Sequence, residues 1–585
     1  MTDFTRNRIL NANRNDGDGS IYSLIMSHDA QAAPNDGTHY YDNVFRDPEN
    51  QAFPYAPQQP ITLHLSSHRF DVDEFENSFI HLKGTYTFNF TGYPTLSGTS
   101  DIEEAIYKNQ FVFVGLKASS HIIRDYRIFF NNVEISTAHQ AGAIEENFLY
   151  STFKSKGQLN NKRWRYTDYK EVQNMDNSYC GAYISLYEIA QNSGTVSKDI
   201  DIIIKYDDLL CFETFDVYPT SIFGQLKFMF IPDVLGFVWC QVNPMNSIKA
   251  AVEDGGISTS LSGISEVLSI PDSQFKFMRS FEQQGVAAPV QFITAINAST
   301  YAPTLSSAGN MTCTLTTFAI TKARTIIKGF NMLDSVKARL RSNFMNGSVF
   351  TIVGQQCITQ GFNQIPSQTE LYATRNAVMN HTTDIEILHP MTTAHYTVFR
   401  NIMAQNYQVR VGQRNFPNQN TLNTVGPEFH EMMIDASDFD SIFESNDSYE
   451  HSLSDELTDG TRWISSRTDN TSFVPIFRLE RDSNGNDVWF DGVNNHSIDV
   501  EIKCNPMYTN YNPYSATATT DNTSASPYGN VSCGPKLITT NELYIIFSLL
   551  PDGKPNVQFV INYTYDEARQ NKMLDAYAVA NVYYA

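Results

Sequence analysis

From residue 60 onward, apolar and polar positions alternate. PITLHLSS (60–67), SFIHLKGTYTFNF (78–90) and QFVFVGLKASSHIIRDYRIFFNNVEI (110–135) carry the pattern, and its breaks fall at Gly, Asn and Ser. A period of two predicts strands with one face buried. AIEENFLYSTF (143–153) predicts a short helix with acids in its first turn. Strands are expected again at YCGAYISLYEIA (179–190), DIDIIIKYDDLL (199–210), FGQLKFMFI (223–231) and LGFVWCQV (235–242). The texture then changes: 252–270 and 295–312 are small and polar and bracket QFKFMRSFEQQ (274–284). A second β-rich half follows. CTLTTFAITKARTIIKGF (313–330) leads into LDSVKARLRSNF (333–344), where Leu333, Val336, Leu340 and Phe344 stand at helical spacing. Later strands are predicted at AHYTVFRNI (394–402), YQVRVGQRNF (407–416), SFVPIFRLER (472–481), SIDVEIKC (497–504), ELYIIFSLL (542–550) and VQFVINYTY (557–565).

One phrase is written twice. DYRIFFNNVEIST (125–137) and NYQVRVGQRNFPN (406–418) align strand on strand, with Asn131-Asn132 over Gly412-Gln413. Each is followed by a glycine and an acidic helix start with an aromatic, Glu145 and Phe148 in one case, Glu428 and Phe429 in the other. Two β-domains with one internal plan would produce this. The expected organisation is an N-terminal arm (1–55), a first domain (56–250), a crossing (251–310) and a second domain (311–585). The second domain carries long loops at 437–459 and 505–535. The arm is rich in Asn, Asp, Gly and Pro and has no sustained period, so it is expected to order only against a partner.

Composition narrows the function. The chain is 41% hydrophobic and 13% aromatic, which supplies a core. Its net charge of −22 disfavours wrapping nucleic acid as a whole. The seven cysteines are scattered with no CxxC pair, as expected of free thiols in a reducing compartment. No apolar leader opens the chain, and no run is long enough for a membrane span.

Chemical motifs are sparse. No GxSxG, GxxxxGK[ST] or GxGxxG pattern occurs. HEMMI (430–434) begins like a zinc-binding helix but has Ile434 where the second His belongs. DSNGND (482–487) reads as a tight turn; as a calcium loop its Gly is misplaced and its twelfth position is Val493. His389 and His395, on an extended strand, would lie about 20 Å apart and share no metal. No catalytic residue, cofactor or metal is expected, and the chain is expected not to be an enzyme. One basic stretch stands out: Lys154, Lys156, Lys162, Arg163 and Arg165 surround Trp164 with no acid. It is either a solvated loop or a contact with DNA or an acidic neighbour.

An all-β chain of two tandem eight-stranded jelly rolls, with short helices between strands and an N-terminal arm, fits this pattern. DYRIFFNNVEISTAHQAGAIEENFLY, HYTVFRNIMAQNYQVRVGQRNFPNQ and KYDDLLCFETFDVYPTSIFGQLKFMF (205–230) together resemble the double jelly-roll major capsid proteins of small double-stranded DNA viruses, of the virophage and Polinton-like type. The resemblance covers about residues 56–575. It implies a structural protein of the virion, assembled inside the host cell. Homotrimers would form pseudo-hexameric capsomers that contact neighbouring capsomers and tile an icosahedral shell around a dsDNA genome. A single-jelly-roll penton protein would fill the vertices, and contact with packaged DNA would be indirect. The acidic 437–459 loop is then expected at the outer end and the basic stretch at the opposite end or a subunit seam. A jelly-roll carbohydrate-binding or carbohydrate-cleaving protein, and a viral attachment or spike protein, are the alternatives.

Overall fold

The structure, a computed structural model, describes residues 44–46, 59–65, 70–96, 101–131, 133–138, 142–152, 180–215, 217–242, 244, 281–296, 303–306, 309–332, 334–346, 350–361, 371–390, 392–399, 404–416, 422–423, 474–479, 493–506, 534–549 and 555–560. Along the chain the first half gives β1 (Val44–Arg46), β2 (Ile61–His64), β3 (Val72–Thr91), β4 (Phe111–Gly115), β5 (Ile123–Phe130), β6 (Val133–Ala138), β7 (Gly181–Ser185), β8 (Thr195–Lys205), β9 (Val217–Tyr218), β10 (Leu226–Pro232) and β11 (Val238–Gln241). Four short strands follow, β12 (Glu282–Gln283), β13 (Ala287–Val290), β14 (Ile293–Ile296) and β15 (Pro303–Leu305), and then the long β16 (Gly309–Phe330). The second half gives β17 (Phe350–Gly361), β18 (Leu371–Leu388), β19 (Ala404–Val411), β20 (Arg414–Phe416), β21 (Leu422–Asn423), β22 (Ile476–Arg478), β23 (Val493–Pro506), β24 (Lys536–Leu549) and β25 (Pro555–Val560).

Strand order identifies the architecture. In the first half one sheet runs β1-β16-β3-β8 and the other β2-β10-β5-β6. The second sheet continues past a bend as β12-β11-β4-β7, because β4–β5 and β10–β11 are each one strand broken at Ser119–Ile122 and at Asp233. The Asp233 N–H donates to the Ile122 carbonyl (2.9 Å) across that bend. Taken as successive positions along the chain, these orders are 1-8-3-6 and 2-7-4-5, the jelly-roll arrangement of two Greek keys. The second half repeats it. β17-β24-β18-β22 forms one row and β18-β23-β19-β20 the other. β18 serves both rows: Leu371–Ala377 pairs with β23, and Thr382–Leu388 pairs with β24, with β22 on its other side. The chain is therefore a double jelly roll.

The repeated phrase is the hairpin between the fourth and fifth strands of each roll. Phe130 faces Val133 and Val411 faces Arg414, so each turn has two residues. Asn131 (φ 44°) and Gly412 (φ 60°) open the two turns in the left-handed region, which suits the primed turns that match strand twist. Gly412→Ala is expected to cost about 1 kcal/mol, from the Cβ clash at positive φ; urea denaturation of the two proteins measures it.

Several expectations shift. CTLTTFAITKARTIIKGF was expected to open the second domain at 311. It forms most of β16, which pairs with β3 from Phe330–Val72 to Thr312–Thr91 inside the first roll. The expected crossing 251–310 lies between the seventh and eighth strands of the first roll, and the second roll begins beyond residue 330. The reason is pairing choice: alternation makes a strand but does not select its neighbour. Val44–Arg46, placed in the arm, pairs with Ile327–Thr325. YCGAYISLYEIA is a strand only to Ser185, whose hydroxyl accepts the Glu188 N–H (3.2 Å) and caps a helix, Leu186–Gln191. AHYTVFRNI is not a strand over its described part, 394–399: a turn at Thr392–His395 occupies its start, and among these residues Phe399 alone bridges, to Pro390.

Candidate functional site: the seam between the rolls

The helix Gly142–Thr152 follows the first hairpin, and Ala143–Ser151 is buried throughout. A helix buried all round is normally apolar, yet this one carries Glu145, Glu146 and Asn147. Buried polar groups must find partners, and these find them on both rolls. Glu145 forms an ion pair with Lys536 of the second roll. Glu146 accepts from the Tyr126 hydroxyl (2.7 Å) of β5 through Oε1 and from the Cys357 N–H (3.3 Å) of β17 through Oε2. Asn147 donates to the Ser120 carbonyl (3.2 Å) at the bend. Burial pushes the Glu146 carboxyl up to about 7, against the opposing pull of its two hydrogen bonds.

A second layer of contacts crosses beside the helix. His395 Nε2 lies 3.1 Å from Glu282 Oε1, joining the second roll to β12, and both side chains are buried. Lys536 also reaches the His395 carbonyl (3.4 Å) and sits 4.6 Å above the Tyr396 ring. The Tyr396 N–H donates to Gln283 Oε1 (3.3 Å). Aromatic packing closes the rest. Phe547 of β24 stacks on Phe223 (4.6 Å between centroids) and meets Phe130 (5.4 Å) and Tyr218 (6.2 Å) of the first roll. Phe148 meets Phe399 at 4.9 Å. The hydrophobic cores interpenetrate accordingly: Phe344, Val398, Ile545 and Phe547 belong to the first roll's core, and Phe148, Leu149, Tyr150 and Leu210 to the second's.

Inside the second roll, the Glu386 carboxyl accepts from the Thr540 hydroxyl (2.6 Å), and burial holds it well above the usual carboxylate range. His389 meets the Tyr407 hydroxyl at 3.0 Å, and burial pushes it down to about 3, so it stays neutral. His389 and His395 are thus separately engaged, and the extended strand that would space them is replaced by a turn. Among the described residues no group of three or more His, Cys, Asp or Glu could hold a metal ion. Six cysteines, Cys180, Cys211, Cys240, Cys313, Cys357 and Cys504, are free and buried. No helix among the described residues is long and apolar enough to cross a membrane. What the seam can do chemically is join two domains through charge pairs and rings and hold a proton near neutrality.

The sequence pointed elsewhere. Lys154, Lys156, Lys162, Arg163 and Arg165 lie outside the described residues, as do HEMMI, DSNGND, the 437–459 loop and all but the ends of 505–535. The seam residues were missed: Glu145 read as a helix-dipole partner, and Lys536 stands 391 positions from it. The one available signal was a pair of adjacent acids inside an apolar helix.

No protein-family model and no curated protein matches this chain. Solved structures do. The mavirus major capsid protein is 10% identical with a TM-score of 0.44, over 92% of this chain and 94% of that one. VP54 of PBCV-1, fitted into a reconstruction of the virophage Sputnik, is 8% identical with a TM-score of 0.40, over 89% and 98%. The Faustovirus major capsid protein is 8% identical with a TM-score of 0.36, over 93% and 98%. By the strand order of its own sheets this chain is a double jelly-roll protein, similar over most of its length to these viral capsid structures.

Proposed function

We propose that the chain is a structural, non-enzymatic subunit of a virion shell. Three copies form a pseudo-hexameric capsomer, and capsomers tile an icosahedral capsid around a double-stranded DNA genome, with a penton protein at the vertices. The observation that carries this reading is the seam. Two rolls of the same strand order, fixed together by interpenetrating cores, make one rigid protomer with two similar units; three such protomers supply the six units of a pseudo-hexagonal block. Assembly inside the host cell is consistent with the free, buried thiols. The basic residues Lys154, Lys156, Lys162, Arg163 and Arg165 are assigned to a subunit contact or to the DNA-facing end. Native mass spectrometry of the purified full chain tests the reading. A trimer at micromolar concentration is expected, with obligate interfaces in the range of about 2,000–5,000 Å²; a stable monomer overturns it.

A further inference from the structure

The outer face of the sheet β16-β3-β8 changes character along its strands. At one end it is hydroxyl and amide: Thr314, Thr317, Thr87, Asn89, Ser197 and Thr195 lie in facing rows. At the other end Phe79, partly exposed, lies between Lys205 of β8 and Ile326 of β16, which is buried; Ile203 stands in the next row, opposite His81. Between them runs a charged band: Arg324 faces His81, Lys322, Lys83 and Asp201 form one row, and Asp199 follows opposite Thr85. Both carboxylates already accept hydrogen bonds, Asp201 with His81 Nε2 (2.8 Å) and Asp199 from the Thr85 hydroxyl (2.6 Å). Lys322 and Lys83 are direct cross-strand partners. Like charges directly opposite one another destabilise a sheet, and the alternation of the strands demands only a polar residue there. The band is also of the wrong sign for its chain, whose net charge is −22.

We propose that this band is a docking surface for a second copy of the chain, whose carboxylates fit between Lys83 and Lys322. The inference rests on the assembly reading and names one of its contacts. Two copies each carrying −22 repel one another overall, so close approach requires a place where the sign is reversed. The shared length of the three strands, eleven residues on β3 and β8, spans roughly 35 Å by 14 Å. That is about 500 Å², over half of what each partner buries in a standard interface. Phe79 and Ile203, partly exposed on this face, supply the desolvated part and the lysine band the orientation.

The variant Lys322→Glu separates association from folding. It places a glutamate opposite Lys83, so the thermal midpoint of the isolated subunit is expected to hold or rise, while self-association by sedimentation velocity weakens at least about tenfold. Wild-type association is expected to weaken with added salt, and the variant's to lose most of that dependence. Lys83→Glu with Lys322→Glu is the second variant, expected to stay monomeric where the wild type assembles. Self-association equal to wild type in both variants overturns the inference and leaves the assembly reading standing. Unchanged self-association with lost affinity for a duplex DNA fragment overturns it in favour of a phosphate contact. A wild type that is monomeric at every concentration overturns the assembly reading and this inference with it.

Discussion

Phe547→Ala is expected to destabilise the protein by about 3–5 kcal/mol and to split its unfolding into two transitions. The ring is fully buried and belongs to the second roll, but its stacked and edge contacts are Phe223, Phe130 and Tyr218 of the first. Truncation leaves a cavity between domains, which the long, continuous β24 cannot collapse to fill. Each roll keeps its own core, including Phe75, Phe212 and Phe228 in the first and Tyr407, Phe477 and Val500 in the second. The lost energy is therefore energy of coupling. Calorimetry of wild type and variant reads both effects; a variant that still melts in one transition within a degree of the wild type shows that the seam does not couple the rolls.

Glu146→Gln is expected to leave stability nearly unchanged near pH 4.5 and to raise it by about 3 kcal/mol above pH 7. The folded carboxyl sits near 7, above an ordinary glutamate's 4.5. A carboxyl raised in this way favours the folded state at low pH, where it is protonated in both states. That contribution is lost as pH rises from 4.5 through about 7, when the buried group must ionise. Glutamine keeps an acceptor for the Cys357 N–H and offers a donor to the Tyr126 oxygen, so it removes the titration without orphaning a partner. His389 acts in the opposite direction. Held near 3 against an ordinary 6.5, it stabilises at high pH, and that contribution disappears as pH falls from 6.5 to 3. Comparing variant with wild type at each pH cancels both His389 and Glu386. Urea titrations across pH 4.5 to 8 give the difference; a constant difference would falsify the assignment of the proton to Glu146.

What was legible in the sequence was local. Alternation found β3 and β16 because burial alternates along most of each, interrupted where their pairing shifts register, and the hairpins at Asn131 and Gly412 showed themselves through turn chemistry. The jelly-roll reading followed from that repetition. Pairing was not legible: nothing within 313–330 says that Lys322 lies beside Lys83, since 239 residues separate them and either face of many strands would satisfy the pattern. The helix Leu186–Gln191 hid because it has only six residues and follows a strand without a break; the Ser185 cap and the three-residue spacing of buried Leu186 and Ile189 distinguish it. The seam was invisible for the same reason as the lysine band. Its partners come from opposite ends of the chain, and acids such as Glu145 and Glu146 look solvent-facing until the surrounding helix is known to be enclosed.

The pairing of β1 with β16 also sets a schedule for synthesis. Val44 meets Ile327 about 280 residues later. At the usual pace of translation, 5–20 residues per second, the ribosome needs roughly 15–55 s to make the intervening chain. Once β8 has been made, and until β16 follows about a hundred residues later, β3 has β8 on one side and an open edge on the other, twenty residues long. An unpaired edge of that length on a nascent chain invites pairing with a neighbouring polypeptide on the same message. Lys83 stands in the middle of that edge, where its charge discourages such premature pairing until β16 arrives.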